Sequence, residues 1–260
     1  MSSYLAIDVG NSNVVIGYHH RGTWQYVWRM PSQVENPSVY YEWQLKNLFL
    51  EHNIQPNTID KVLISSVVPS LTSVFREAGL NISREPPMIM GVDVYPHLEM
   101  GITRPNEIGS DLVCNALAAC DRFGTDCIVV DFGTALTLTS VSGDRQILGV
   151  AIAPGVKTAM NALFKATAKL PEVPAKWPKS VLGQDTIHAI QSGVMVGYVG
   201  LIRHLVDETR KEMGVEAITI ATGGLSQTLL QLRGYFDHEL PHLTLDGLLF
   251  AWDRLRARMP

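Results

Sequence analysis

The sequence predicts an α/β fold made of two like halves, each carrying a mixed central sheet. Three observations support that expectation. The first is a pair of strand-end turns of the same design. One is Tyr4-Leu5-Ala6-Ile7-Asp8-Val9-Gly10-Asn11-Ser12-Asn13 and the other Cys127-Ile128-Val129-Val130-Asp131-Phe132-Gly133-Thr134, about 120 positions apart, which points to an internal repeat. The second is that the order strand-strand-strand-helix-strand-helix occurs twice, once from each turn. The third is composition: in 260 residues, 46% are apolar and 18% charged, which allows a sizeable core and argues against long-range disorder.

The elements follow in order. Leu5–Val9, Val14–His19 and Trp24–Arg29 read as consecutive strands, with Arg21-Gly22 as the turn signal between the last two. Val39–Glu51 reads as a helix and Lys61–Val67 as a buried strand running into Ser65-Ser66-Val67-Val68-Pro69. A short helix from Pro69 to Glu77 and a short strand at Met88–Gly91 come next. Asp111–Phe123 has helical spacing of Val113, Ala116, Leu117 and Cys120. The theme then restarts with strands Cys127–Asp131, Leu136–Ser142 and Gln146–Ile152, the last two joined by Gly143-Asp144. Helices are expected over Val156–Lys169, Thr186–Met213 and Leu225–Arg233, with strand Ala217–Ala221 between the last two. Pro171, Pro174 and Pro178 make Leu170–Lys179 an irregular surface loop. The boundary between halves falls near Phe123-Gly124-Thr125-Asp126, giving domains 1–123 and 124–260.

Charge and cysteine usage narrow the function classes. Net charge is −4 with no basic run, so neither nucleic acid nor an anionic membrane surface is an expected partner. Three cysteines, Cys114, Cys120 and Cys127, cannot all pair and lack CxxC spacing, which suits a reduced cytoplasmic protein. Strand pattern begins within a few residues of Met1, so no signal peptide is expected. No apolar stretch reads as long enough to span a bilayer.

The two turns point to chemistry. Each puts a carboxylate where an apolar strand ends, then a glycine, then small hydrogen-bonding residues. Glycine lets backbone approach a phosphate, hydroxyls and amides supply donors, and the aspartate can hold Mg²⁺ directly or through water. One Asp-x-Gly is an ordinary strand end; two copies suggest a duplicated nucleotide site.

A duplicated unit of this kind resembles the actin-like and hexokinase-like ATPase superfamily, with its ribonuclease H-like halves and a nucleotide cleft between them. A closer resemblance, running nearly end to end, is to the type III pantothenate kinases. It rests on Asp8-Val9-Gly10-Asn11-Ser12, Ser65-Ser66-Val67-Val68-Pro69, Gly109-Ser110-Asp111 and Val130-Asp131-Phe132-Gly133-Thr134-Ala135. Further pieces are Ala153-Pro154-Gly155, Leu182-Gly183-Gln184-Asp185-Thr186, Ala221-Thr222-Gly223-Gly224 and Leu243-Thr244-Leu245-Asp246-Gly247-Leu248. The resemblance implies ATP-dependent phosphorylation of pantothenate to 4'-phosphopantothenate, the first step of coenzyme A synthesis. It also implies Mg²⁺, a monovalent cation (K⁺ or NH₄⁺) and a homodimer. Gly10, Asn11, Ser12 and Asn13 would form the first phosphate loop beside Asp8 on the Mg²⁺ side. Gly133 and Thr134 would form the second, with Asp131 as the monovalent-cation ligand and Gly223-Gly224 against adenosine. Asp111 matches the general base, in a substrate motif with Gly109, Ser110 and Leu112, and Thr186 a substrate contact from the neighbouring subunit.

Two positions depart from the family pattern. Leu112 stands where that pattern has arginine, and Ile102 where it has tyrosine, with Arg104 nearby as a substitute cation. These departures leave two alternatives: a kinase-derived protein that binds ATP without the acceptor reaction, or a kinase for another small hydroxylated acceptor. Plainer structural readings also exist. Asp111 suits a helix start, Thr186 an N-cap, Gly223-Gly224 a strand end, and His238 and His242 a solvated loop. Lys157-Thr158 after Gly155 lacks P-loop spacing, and there is no GxGxxG fingerprint.

Overall fold

The computed structural model describes residues 2–83, 85–224 and 230–258. The chain divides into two compact units, Met1–Ala118 with Thr244–Pro260, and Ala119–Leu243.

In the first unit, strands β1 (Ser3–Val9), β2 (Asn13–His20), β3 (Thr23–Pro31), β4 (Lys61–Ser66) and β5 (Met88–Ile89) form one sheet in the order β3-β2-β1-β4-β5. β1 pairs antiparallel with β2 and parallel with β4. Flanked on both sides, it carries the continuous apolar run Tyr4–Ile7, and Leu5, Ala6 and Ile7 are wholly buried. The β2–β3 hairpin turns on Arg21 and Gly22 with φ of 53° and 82°, a type I′ geometry that matches the strand twist. Helix α1 (Ser38–Glu51) buries Tyr41, Leu45 and Phe49, and α2 (Pro69–Leu80) buries Leu71, Phe75 and Ala78. Their spacing places each set on one helix face, and both pack with Ile7, Ile16 and Ile64 into one core. Pro69 opens α2 at its first turn, where its missing N–H removes no helical bond.

Helix α3 (Ser110–Phe123) carries the chain from the first unit into the second and is buried at every position from Leu112 to Cys120. The second unit repeats the first. Strands β6 (Cys127–Phe132), β7 (Ala135–Val141), β8 (Ile147–Pro154), β9 (Ile218–Thr222) and β10 (His238–Glu239) give the order β10-β9-β6-β7-β8. Read from the other edge, order and strand sense match the first sheet pair for pair. The repeat extends to an irregularity: the register shifts near the end of the second strand in both, at Tyr18/His19 and at Ser140/Val141. Helices α4 (Val156–Ala166), α5 (Thr186–Gln191) and α6 (Gly197–Met213) follow, with a π-helical turn, Ser192–Val196, joining the last two. α6 ends on Gly214 at φ 68°, a left-handed cap that glycine adopts without strain.

Several expectations need correction. The run Thr186–Met213 spans 28 residues and is apolar enough to cross a membrane by length and composition, contrary to the reading that no stretch reaches that length. Its apolar side here packs in the core of the second unit, where Met195, Tyr198, Ile202 and Val206 are buried. Of the expected helix Leu225–Arg233, residues 225–229 lie outside the described residues, and Leu230–Leu232 forms a 3₁₀ turn. α4 stops at Ala166, and His238 lies in β10 against the Phe123 ring at 4.5 Å rather than in a loop. A last helix, α7 (Leu243–Arg256), has no counterpart in the sequence reading. It belongs to the first unit: Trp24 Nε1 donates to Asp246 Oδ1 at 2.8 Å and Arg256 Nη1 to Tyr4 Oη at 2.8 Å. Gly247 lies so close to the Cys114 backbone that a side chain would collide with it.

Candidate active site

In the first unit, Asp8 sits at the end of β1, in register with Val15 of β2 and Ser65 of β4. The turn after it is closed by Gly10 N–H donating to the Asn13 carbonyl at 3.0 Å. Ser32, beyond β3, braces the same turn. Its N–H donates to the Ser12 carbonyl at 3.0 Å and its Oγ to the Gly10 carbonyl at 2.6 Å. Asn11 and Ser12 are exposed and Asn13 half-buried, so a pinned backbone presents short polar side chains outward.

Ser110 ties the start of α3 to this strand end. Its Oγ lies 3.0 Å from Ser65 Oγ and accepts from Ser66 N–H at 3.0 Å. Asp111 follows in the first helical turn, where its Oδ1 accepts from Leu112 N–H at 2.9 Å. A Cβ on Gly109 would collide with that carboxylate oxygen, so only glycine leaves Asp111 its place. Burial raises the Asp111 carboxyl above the ordinary range, outweighing the backbone N–H groups that pull it down. One turn on, the Cys114 thiol is fully buried. It is driven well above its usual value by burial first and then by Asp8 and Asp111, so both carboxylates lie near the same side chain.

Beside Gly109 and Ser110 opens a cavity of about 360 Å³, also lined by Val67, Met90, Tyr95 and Glu107. Its size and mixed lining suit a small organic acceptor. Leu112 is 7% exposed, so the departure from the family pattern puts an apolar side chain into packing. Arg104 is exposed and pairs with Glu107 at 3.1 Å. That pair ties Arg104 to a residue of the cavity's rim, and Ile102 is half-buried.

The second unit builds a matching turn. Gly133 N–H donates to the Ala135 carbonyl at 3.1 Å, and Gly155 N–H to the Thr134 carbonyl at 2.9 Å. Thr158 Oγ1 donates to that same Thr134 carbonyl at 2.6 Å, so Thr158 braces the turn as Ser32 does in the first unit. Asp131 is in register with Thr137 of β7 and Thr222 of β9. Gly223 has φ +89°, and a Cβ there would strike both Asp131 Oδ1 and the Phe132 backbone. Thr137 Oγ1 is buried and takes no hydrogen bond among the described residues. Because cross-strand partners share a face, it offers a second oxygen beside Asp131, which fits a hard monovalent cation.

Thr186 stands apart. It is the first residue inside α5 rather than its N-cap, because Asp185 takes that role, its Oδ1 accepting from His188 N–H at 2.8 Å. Thr186 is exposed and lines a separate cavity of about 650 Å³ with Leu163, Ile190, Gly193 and Val194. The structure thus gathers Asp8, Gly10–Asn13 and Gly109–Leu112 in the first unit. In the second it gathers Asp131, Gly133, Thr134 and Gly223, with Gly224 next in the chain.

The family profile of the type III pantothenate kinases matches residues 4–208. The chain belongs to the type III pantothenate kinase family. A type III pantothenate kinase from Roseiflexus sp. is 37% identical over 253 residues, covering 97% of this chain and 99% of the relative. Among solved structures, a Baf family protein from Campylobacter jejuni covers 97% of this chain and 99% of its own at TM-score 0.59 and 19% identity. MreB5 of Spiroplasma citri bound to ADP covers 99% of this chain and 97% of its own at TM-score 0.53 and 10% identity. At those identities the likeness is one of fold: this type III pantothenate kinase family member is built of two like α/β units with an actin-like fold.

Proposed function

We propose that this protein transfers the γ-phosphoryl group of ATP to pantothenate, giving 4'-phosphopantothenate and ADP, the first step of coenzyme A synthesis. The observation that carries the reading is Asp111: a carboxylate on a glycine-cleared helix start, raised by burial and set beside a cavity of acceptor size. Asp111 accepts the proton of the acceptor hydroxyl as its oxygen attacks the γ-phosphorus and ADP departs. A raised carboxyl suits a base that takes the proton and later releases it to solvent.

In the first unit Gly10, Asn11, Ser12 and Asn13 contact phosphate and Asp8 lies on the Mg²⁺ side. In the second, Gly133 and Thr134 contact phosphate, Gly223-Gly224 lies against adenosine, and Asp131 with Thr137 holds K⁺ or NH₄⁺. Bound cations neutralise charge on the transferring phosphoryl group. Gly109, Ser110 and Leu112 shape the acceptor side. A match across nearly the whole of a kinase relative does not favour a chain that has kept ATP and lost the acceptor reaction. Buried free cysteines suit a reduced cytoplasm.

A homodimer belongs to the same reading, with Thr186 reaching the partner's acceptor. Leu148, Val150 and Ile152, at every second position of edge strand β8 and so on one face, are 54%, 38% and 69% exposed, and Leu182 is 82% exposed. The test is a coupled ADP-release assay with pantothenate, Mg·ATP and K⁺, native chain beside Asp111→Asn. Pantothenate-dependent turnover that falls by at least about 10²-fold in the variant supports the proposal; a silent native chain refutes it.

A further inference from the structure

Tyr95 lies in the cavity beside Asp111, at a position that neither strand-end turn nor the family pattern singles out. It opens a 3₁₀ turn, Tyr95–His97, held at both ends. Its N–H donates to the Gly91 carbonyl at 3.1 Å, and its own carbonyl accepts from Leu98 N–H at 3.1 Å. Leu98 is wholly buried and Tyr95 itself 5% exposed, so the side chain has little freedom. Burial, then Cys114 and Asp111, push the phenol up to about 12, and it stays a neutral hydrogen-bond donor at any working pH.

A buried tyrosine normally gives its hydroxyl to a protein partner. Among the described residues the Tyr95 hydroxyl has none, and the cavity that Tyr95 lines has a mixed wall, with Val67, Met90 and Ile108 beside Ser66 and Asn106, and the Asp111 carboxylate close enough to act on the phenol. A packing role accounts for the ring and leaves the hydroxyl unexplained.

We propose that Tyr95 is a specificity-determining residue of the acceptor site, its hydroxyl donating to a neutral oxygen of the acceptor beside the hydroxyl that Asp111 deprotonates. The partner is a hydroxyl or amide carbonyl, not the acceptor's carboxylate, because the nearby Asp111 carboxylate would repel a second anion there. This rests on the pantothenate kinase reading.

The test is Tyr95→Phe in the full chain, which removes one oxygen from a ring that keeps its packing. Pantothenate KM in the ADP-release assay, and pantothenate Kd by calorimetry, should each rise about tenfold, the equivalent of about 1.4 kcal/mol. The expected kcat stays within about twofold, and ATP KM and Tm do not change, as for a lost ground-state hydrogen bond. An unchanged pantothenate KM and Kd overturns the assignment, as does an equal rise for ATP or a fall in Tm that accounts for the weaker binding. If the native chain binds pantothenate without turning it over, the kinase reading fails and the Kd comparison still decides the role of Tyr95. A native chain that neither binds nor phosphorylates pantothenate overturns both.

Discussion

Asp111 is a carboxylate placed where burial works against its charge, and that has a cost in stability as well as a use in the proposed proton transfer. Its folded-state value lies above the unfolded one, with burial the largest cause. The sign follows directly: its favourable contribution is present below the unfolded carboxyl range, about 3.9, and is lost as pH rises through the raised value. At neutral pH the ionised form weakens the fold. Asp111→Asn should therefore leave Tm unchanged or higher while abolishing turnover, a combination that distinguishes a functional carboxylate from a structural one. His19 shows the opposite sign. Its ring lies 6.1 Å from Tyr4 and edge-on to Trp24 at 5.1 Å, and its buried Nδ1 has no partner among the described residues. Burial lowers its value, outweighing the Gly22 backbone, Asp246 and Asp253, which pull upward, while His20 adds to the lowering. The unfolded chain thus takes up this proton near pH 6.5, while the folded chain resists to lower pH. Stability is complete above that value and declines as pH falls below it. Denaturant midpoints at pH 7.5 and 5.5 should separate more for the native chain than for His19→Gln.

At the scale of elements, the two Asp-x-Gly turns are alike in construction: a backbone bond closes each, and a hydroxyl from beyond the third strand braces it. In the second, Gly223 is required twice over, by its φ of +89° and by its approach to Asp131. Gly223→Ala should cost about 1–3 kcal/mol through backbone strain alone. It should also weaken ATP binding in an equilibrium titration; a variant with native stability and native ATP affinity would show that the close approach is dispensable. The strands and these turns were readable in the sequence because alternation, glycine and strand-end carboxylates are local signals. The roles proposed for Asp111 and Thr186 rest on family resemblance, since a helix-start aspartate or threonine looks the same with or without chemistry. Tyr95 carried no signal at all. Its place in the cavity comes from a short 3₁₀ turn and from the carboxylate more than ten positions later that folding brings beside it. Asp185 caps α5 one residue ahead of Thr186, and since both residue types are good caps only backbone geometry separates them.

At the scale of the molecule, duplication is plain in both sheet order and bulge position. It was readable because each copy restarts the same pattern of elements. The proposed homodimer places edge strand β8 at a self-contact. Sedimentation should give a dimer for the native chain and a monomer for Ile152→Asp, and a native monomer at micromolar concentration would remove Thr186 from any shared acceptor site. What a chain-order reading could not convey is the return of residues 244–260 to the first unit, because nothing local in α7 says which sheet it will cover. That return bears on how the protein is made. Domains usually fold one after another as they leave the ribosome, yet here every residue of the second unit is synthesised before the helix that completes the first. Trp24, Tyr4 and the Cys114 backbone must wait for Asp246, Arg256 and Gly247. The half translated first is the half finished last, and through that interval the nascent chain carries a sheet whose α7-facing side is still bare.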